Sequence, residues 1–344
     1  MNKEITTKGP LLNEFGELIE KGYAKSLIKD YDRTKIKAKK IRIKEWDYYL
    51  IINKHFAVAL TVDDNSYMGL LSASFIDFSK PSERTKSIMH WFTNGKRNLP
   101  YSSKTGDVIV DTKQAKFSYI HKDGKRILDA EIYNFNDNQS FECHFELTNE
   151  PHDSIVMLTP FAEDKKAFYY NQKIVGFKTK GYAKVGSYEV IFNEDDTRAI
   201  LDWGRGVWTY KNTWYWGSAT SIIDGNEIGF NIGYGFGDTS NGSENAVFYN
   251  GTMHKLDQVT FNIPKNEKGQ DDFLSPWTFT SNDKRFEMDF TPILDRKSIT
   301  NVGIICSKQH QIFGLFNGTI ILDNNQKIEI KNMIGFAEKV YNKW

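Results

Sequence analysis

The chain has little of what marks secreted, metal-binding or membrane proteins. Its 344 residues include only two cysteines, Cys143 and Cys306, too few and too far apart for a disulfide scaffold or a cysteine zinc site. Both have strand-like neighbours, so we expect buried free thiols. No stretch approaches the roughly 20 apolar residues of a membrane span, and the first residues lack the apolar segment of a signal peptide. We therefore expect a cytoplasmic protein without a membrane span.

An excess of charge of one sign is also missing. The 45 basic and 44 acidic residues leave a formal net charge of +1. Nucleic-acid binders normally show a basic excess or stripe, so we expect no nucleic-acid partner. In the basic run at 32–46, lysines alternate with Ile36, Ala38 and Ile43. This alternation predicts a strand with a solvated basic face.

Motifs that identify common enzyme classes are absent from the sequence. It has no Gly-x-Ser-x-Gly elbow, no Walker loop and no protein-kinase set. The glycine-rich string at 233–238 follows a strand pattern but opens no helix. The seven histidines never fall at a metal-ligand spacing such as His-x-x-x-His. We therefore predict neither a cofactor nor a metal.

Strand patterns run along almost the whole chain. Residues 48–62 form two β-branched and aromatic runs with a polar break at Asn53-Lys54. Turn dipeptides that favour tight hairpins recur at Asp123-Gly124, Asp224-Gly225, Asn250-Gly251 and Asn317-Gly318. There are two helical candidates: 334–344 has the spacing of one short amphipathic helix, and 18–31, interrupted by Gly22, fits either a loop or a short helix. The sequence thus predicts an all-β protein with few short helices.

The segment 226–237 alternates strictly between bulky apolar residues and glycine or asparagine. Its apolar face includes Phe230 and Phe236, and the opposite face includes Asn231 and Gly233. Glycines inside a strand mark bends or close approach of another group. We expect strongly curved sheets around a cavity, arranged as two barrels. The polar stretch at 191–200 suggests domains at 1–195 and 196–344.

The stretch 201–217 holds four of the eight tryptophans. On a strand, Trp214 and Trp216 share one face. They line a ligand pocket or simply fill a core, since aromatic side chains dominate cores in general. Asp202 and Arg205 add an opposite-charge pair, and aromatic and polar groups converge in this way in ligand pockets.

Two further segments carry candidate catalytic groups. The loop at 233–245 brings Asp238 and Glu244 close to Asn231, where two carboxylates could act as acid and base. The alternative is a solvated hairpin loop. His310 faces away from its neighbouring glutamines on a predicted strand. It is either a general acid or base or a core histidine with its hydrogen bonds satisfied.

Several motifs resemble a bacterial family called domain of unknown function 2804. The motifs include "LDWGRGVWTYKNTWYWGSA", "NIGYGFGDTS", "FTSNDKRFEMDFTPI" and "IGFAEKVYNKW". The resemblance covers essentially the whole chain, and it implies no particular activity.

A more distant resemblance links residues 169–230 to the lipocalin-like carotenoid hydratases, or hydroxyneurosporene synthases. Asp202 falls at the position of that family's motif aspartate, and Trp214 and Trp216 match its Trp-x-Trp strand. The family's Asp-His pair is Asp202-Trp203 here, so the imidazole is missing. The resemblance implies two consecutive calycin-like, antiparallel β-barrels with a ligand cavity.

The leading functional hypothesis is a binder of a small, largely apolar ligand. The predicted cavity residues are Trp203, Trp208, Trp214 and Trp216, with Asn231 and Asp238 nearby and with Asp202 and Arg205 as polar anchors. One alternative is cofactor-free lyase, hydratase or isomerase chemistry with Asp202 as acid or base and with Glu244 and His310 as further candidates. Another is carbohydrate binding, which predicts tryptophans on an open groove.

Overall fold

Antiparallel strands make up nearly all the regular structure of the protein. The computed structural model describes residues 2–302 and 305–343. In chain order the strands are β1 Gly9–Pro10, β2 Gly22–Ala24, β3 Lys29–Asp30, β4 Ile43–Ile52, β5 Phe56–Asp64, β6 Met68–Asp77, β7 Ser82–Trp91, β8 Val108–Asp111, β9 Ala115–Lys122, β10 Lys125–Asn136, β11 Gln139–Thr148, β12 Ile155–Phe161, β13 Asp164–Val185, β14 Tyr188–Phe192, β15 Arg198–Val207, β16 Lys211–Ile223, β17 Asn226–Tyr234, β18 Ala246–Tyr249, β19 Thr252–Lys255, β20 Val259–Asn262, β21 Trp277–Ser281, β22 Phe286–Val302, β23 Ile305–Ile321 and β24 Lys327–Lys343. The helical segments of the described residues are two turns of 3₁₀ helix, Arg33–Lys35 and Lys40–Arg42.

The strands pair into two large sheets. The first has the order β7-β6-β5-β4-β15-β13-β11-β10-β9-β8, with β12 and β14 also paired to β13, and β2 to β12. The second has the order β19-β18-β17-β16-β24-β23-β22-β21-β20. Each sheet curls into a half-barrel, which confirms the predicted all-β, lipocalin-like architecture. A short parallel pair, β1 with β3, lies outside both sheets.

The chain passes from the first sheet to the second between Val207 and Lys211. Strand β15 pairs with β4 and β13 and so belongs to the first sheet. The expected boundary after residue 195 would assign this strand to the second unit. The division of the chain into two domains remains a prediction.

Three of the four predicted hairpin turns are present. Asp123-Gly124, Asp224-Gly225 and Asn250-Gly251 each join paired strands with positive φ at both positions. Asn317-Gly318 is not a turn, because both residues lie within β23 at a register shift. A Cβ on Gly318 would stand 2.1 Å from the carbonyl oxygen of Glu287. This glycine therefore permits a close backbone approach inside the sheet.

Neither helical candidate forms a helix, and the helix predicted for 334–344 is wrong. Residues 334–343 belong to β24, and Trp344 lies outside the described residues. β24 is covered on both faces along Met333–Ala337, so its apolar residues lose the alternation that identifies a half-buried strand. The segment 18–31 contains β2 and β3 instead of a helix. The strand predicted for 32–46 begins only at Ile43, after the two 3₁₀ turns.

The alternating segment 226–237 divides at its end. Ile228, Phe230 and Ile232 lie in the hydrophobic core of the second sheet. The strand ends at Tyr234, and Gly235 follows with a φ of +94°. Phe236 therefore leaves that face and packs against Tyr169 of the first sheet, with ring centroids 4.9 Å apart.

Candidate functional site

A cavity of about 330 Å³ lies between the two sheets. The first sheet contributes residues from β4, β5, β6, β7, β13 and β15, and the second contributes residues from β16, β22, β23 and β24. Residues directly opposite one another in an antiparallel pair share a face. A row of cross-strand neighbours can therefore be followed along each wall.

The row on the first sheet is mainly polar. It runs through Lys173, Asp202, Tyr48, Thr61, Ser72 and Ser87, each the register partner of the next. All six line the cavity. Lys173 and Asp202 are deeply buried, whereas Ser87 is exposed on the edge strand β7. The first wall thus extends from a buried ion pair to an open edge.

The row on the second sheet faces the first. Trp216, Glu338, Gln311 and Arg296 are register partners across β16, β24, β23 and β22. They also line the cavity. Gln311 Nε2 lies 3.5 Å from the Tyr48 hydroxyl of the opposite wall, so the two rows meet.

Lys173 and Asp202 form the buried ion pair of the site. Lys173 Nζ lies 2.6 Å from Asp202 Oδ2, and the two side chains are 1% and 10% exposed. Asn171 donates to Asp202 Oδ1 at 2.5 Å. Nζ also lies 3.9 Å from the centre of the Trp216 ring, a cation–π contact. The ammonium group is thus held between a carboxylate and an indole.

Glu338 is a second buried carboxyl on the cavity wall. It accepts hydrogen bonds from Trp214 Nε1 at 3.1 Å and from Gln311 Nε2 at 3.0 Å. Burial raises the pKa of Glu338 to about 7, and the Trp214 bond and the charge of Lys173 lower it only in part. Near neutral pH this carboxyl can therefore hold a proton or release it.

Aromatic rings form the rest of the buried wall. Trp208, Trp214, Trp216 and Phe236 line the cavity. The Trp208 and Trp214 rings make an edge contact at 5.2 Å, and Trp214 lies 5.8 Å from Phe236. The site therefore combines apolar ring faces with a short polar row.

The predicted pairing of Asp202 with Arg205 is wrong. Three residues apart on β15, the two side chains point to opposite faces. Arg205 is fully buried and pairs with Asp47 at 2.9 Å. Trp203 shares that face and makes edge contacts with Tyr31 and Tyr170. Trp203 and Arg205 therefore lie on the side of β15 away from the cavity.

Glu244 and Asn231 lie behind the cavity wall. Trp216 Nε1 donates to Asn231 Oδ1 at 2.7 Å, and Asn231 donates to the Glu244 carbonyl at 3.0 Å. Burial raises the pKa of Glu244 to about 7. A Cβ on Gly233 would stand 2.2 Å from Glu244 Oε1, so this glycine makes room for the carboxyl. The pair supports Trp216 without lining the cavity.

The other predicted site residues lie elsewhere. Asp238 is in the loop after β17, where its carboxylate accepts from the Ser240 backbone N–H at 3.0 Å. His310 faces away from the cavity on β23, as the alternation predicts. Its Nδ1 lies 2.7 Å from Asp295 Oδ2, and its ring stacks on Phe273 at 4.1 Å. Neither residue is brought together with Asp202.

Sequence reasoning missed Lys173, Glu338 and Arg296. Lys173 and Glu338 are charged residues in stretches of mostly apolar strand residues, which is the signal that could have found them, whereas Arg296 stands among the polar residues 295–298 and gave no such signal. Glu338 shares its face of β24 with Phe336 and Val340, but the segment was interpreted as a helix. A buried charge in such a position requires a partner, and here the partners come from distant strands.

Neither cysteine lines the cavity. Cys143 is a buried free thiol, as predicted, whereas Cys306 is only half-buried. Across residues 2–302 and 305–343, no group of three or more His, Cys, Asp or Glu side chains is placed to hold a metal ion. In the same part of the chain, no helix has the length and apolarity to cross a membrane.

Comparison with solved structures identifies similar folds. A protein described as AttH from Nitrosomonas europaea superposes with a TM-score of 0.55 and 11% identity, over 88% of this chain and 93% of that one. Kievitone hydratase from Nectria haematococca gives a TM-score of 0.47 and 11% identity, over 88% of each chain. A structure of CghA with Sch210972 gives 0.42 and 8%, again over 88% of each. At these identities the likeness to AttH is one of fold alone.

Sequence comparison identifies the family. No curated protein matches the chain. Residues 2–344 match the family described as a domain of unknown function, DUF2804, which confirms the first resemblance noted in the sequence. The resemblance to carotenoid hydratases is confirmed at the level of a shared fold. The chain belongs to the DUF2804 family.

Proposed function

We propose that this protein binds a small, largely apolar molecule in the cavity between its two sheets. The observation that carries the proposal is the space of about 330 Å³ beside Trp208, Trp214 and Trp216. Ligand sites typically combine apolar and aromatic walls with a few polar groups that fix orientation. Here the aromatic wall supplies the apolar surface, and the two polar rows supply the orienting groups.

The position of the rings favours an apolar ligand over a glycan. A carbohydrate site predicts tryptophans on an open groove. Trp216 is 4% exposed and packs edge-on against Phe336 at 4.7 Å and Tyr48 at 5.8 Å. A tryptophan buried in this way favours an apolar ligand, because transfer of apolar surface from water into the cavity is favourable.

Partly filling the cavity should weaken ligand binding without removing any core residue. Thr61 is half-buried on β5 and faces the cavity. We expect wild-type protein to bind the neutral fluorophore N-phenyl-1-naphthylamine, with a rise in its emission. Thr61→Phe should weaken that affinity at least about tenfold, equivalent to ~1.4 kcal/mol. Fluorescence titration measures both.

Thr260→Phe is the matched control, since Thr260 is exposed on β20 and does not line the cavity. It should leave the affinity for the fluorophore unchanged. Absence of binding to wild-type protein, or equal affinity in the Thr61 variant, would contradict the proposed function.

A second candidate function is acid–base chemistry on a double bond, and the Glu338 carboxyl favours it. Burial raises the pKa of Glu338 to about 7, so this carboxyl can give up or take a proton near neutral pH, and it lines the same cavity as Asp202. Glu338 would donate its proton to one carbon of the double bond while a water oxygen bonds to the other. Asp202 would accept a proton from that water. Return of this proton to Glu338 restores the starting state.

Oxygen labelling tests this candidate. Apolar alkenes incubated with the protein in ¹⁸O-labelled water should yield labelled alcohols, detected by mass spectrometry. Asp202→Asn and Glu338→Gln should each reduce the yield by about 10²-fold or more. Glu329→Gln, an exposed change on the same strand as Glu338, should not. Undiminished labelling in both site variants would exclude the assigned roles.

A further inference from the structure

We propose that the cavity's natural occupant is an amphipathic carboxylic acid whose carboxylate is bound by Arg296. This inference rests on the proposed function, because it names the chemical class of the apolar molecule. Such a ligand needs two features in the cavity. One is a positively charged group that binds the carboxylate, and the other is an aromatic wall at a distance that an extended apolar chain can span.

Arg296 is held in place by neutral groups. Its Nε donates to Ser74 Oγ at 2.8 Å and its Nη1 to Gln311 Oε1 at 2.9 Å. Within the described part of the chain, no carboxylate oxygen lies within 4.0 Å of its guanidinium nitrogens. A guanidinium group matches a carboxylate with two parallel donors. Arg296 is therefore oriented but has no anionic partner.

The buried arginines of the described residues pair with carboxylates, whereas Arg296 is only half-buried. Arg126 binds Glu150 at 2.8 Å, Arg198 binds Glu227 at 3.1 Å, and Arg205 binds Asp47 at 2.9 Å. Charges taken out of water are costly unless they are paired. An anion placed beside Arg296 would likewise pair with a positive charge that is partly withdrawn from water.

The three carboxyls that line the cavity do not supply that anion. Asp63 accepts a hydrogen bond from the Leu70 backbone N–H at 2.6 Å and forms no ion pair with Arg296 in the described part of the chain. Asp202 is occupied by Lys173 at 2.6 Å. Glu338 reaches Arg296 only through Gln311 and is partly protonated near neutral pH. The Arg296 end of the second-sheet row therefore carries an uncompensated positive charge, which favours an acidic head group.

The length of the row sets the length of the ligand. Arg296 and Trp216 are separated by three strand-to-strand steps, across β22, β23, β24 and β16. At about 4.8 Å a step, the distance is roughly 14 Å. A carboxylate at Arg296 would thus place the end of a medium-length apolar chain against the aromatic wall.

Competition between an acid and the matching alcohol tests the inference. With N-phenyl-1-naphthylamine bound as reporter, decanoate should displace it from wild-type protein at a concentration at least about tenfold lower than decanol. This ratio corresponds to ~1.4 kcal/mol for one charge-assisted interaction. Arg296→Gln should reduce the preference to less than about twofold, and Arg296→Lys should keep part of it.

Lys308→Gln is the control. Lys308 is exposed on β23, so this substitution removes a positive charge that lies outside the cavity. It should leave the preference unchanged. Failure of the reporter to bind would refute the proposed function itself. Binding of the reporter without a preference for decanoate in the wild type, or an unchanged preference in Arg296→Gln, would refute only the acid. The wild-type and lysine measurements decide the matter even if the glutamine variant does not fold.

Discussion

Replacing Lys173 with methionine is expected to lower the free energy of unfolding by about 3–5 kcal/mol. The change leaves the Asp202 carboxylate buried beside Trp216 without its ammonium partner. It also removes the cation–π contact at 3.9 Å. Asn171 still donates to Asp202, but one hydrogen bond does not replace a counter-charge at a buried carboxylate. Urea denaturation followed by tryptophan fluorescence measures the loss.

A second substitution separates charge from packing. Lys173→Met with Asp202→Leu removes both charges, and most of the lost stability should return. Lys125→Met is the surface control, because Lys125 pairs with Glu146 at 2.9 Å but is 44% exposed. That change should cost less than about 1 kcal/mol. If the double variant is no more stable than Lys173→Met, the unpaired charge of Asp202 is not the cause of the lost stability.

The stability of the protein should fall between about pH 4.5 and pH 7 through Glu338. Burial raises the pKa of this carboxyl from 4.5 to about 7, so the folded chain keeps a proton that the unfolded chain releases. Wherever the folded state binds more protons, the free energy of unfolding falls as pH rises. The contribution is fully present below pH 4.5 and lost above pH 7. It amounts to about 3 kcal/mol, at ~1.4 kcal/mol per pKa unit.

Comparison with Glu338→Gln isolates this group. Glu244 and Asp63, whose pKa values burial also raises to about 7, act in the same window. The stability of wild type relative to Glu338→Gln should therefore drop by about 2–3 kcal/mol from pH 5 to pH 8. Glu329→Gln, an exposed change on β24, should shift stability by only a few tenths of a kcal/mol at either pH. A constant difference between wild type and Glu338→Gln would place an ionised Glu338 in the fold throughout.

The fold could be predicted further than the site. The two β-branched and aromatic runs at 48–62 correctly predicted β4 and β5, and Asp-Gly or Asn-Gly pairs correctly predicted three hairpins. Both signals depend on residues adjacent in the chain. Prediction failed at 334–344, because β24 is covered on both faces and an apolar run of that kind fits a helix as well as a strand.

Part of the aromatic wall could also be predicted from residues that are close in sequence. The Trp-x-Trp spacing correctly placed Trp214 and Trp216 on one face, and Trp208 joins them through the loop that links the sheets. The ion-pair partner of Asp202 could not be predicted from the sequence. Lys173 and Asp202 are register partners on the neighbouring strands β13 and β15. The sequence alone does not reveal this register, so the arginine closest in sequence was chosen instead.

By itself, the amino-acid sequence determined that this chain forms curved antiparallel sheets with a concentration of indoles near residue 210, because alternation and turn chemistry act over a few residues. Only the tertiary structure decided that one polar row of each sheet faces the other across a cavity. Register makes this decision, since a slip of one residue turns every side chain of a strand to the opposite face. The pairing of Lys173 with Asp202, the raised pKa of Glu338 and the position of Arg296 on the cavity wall are therefore properties of the assembled sheets.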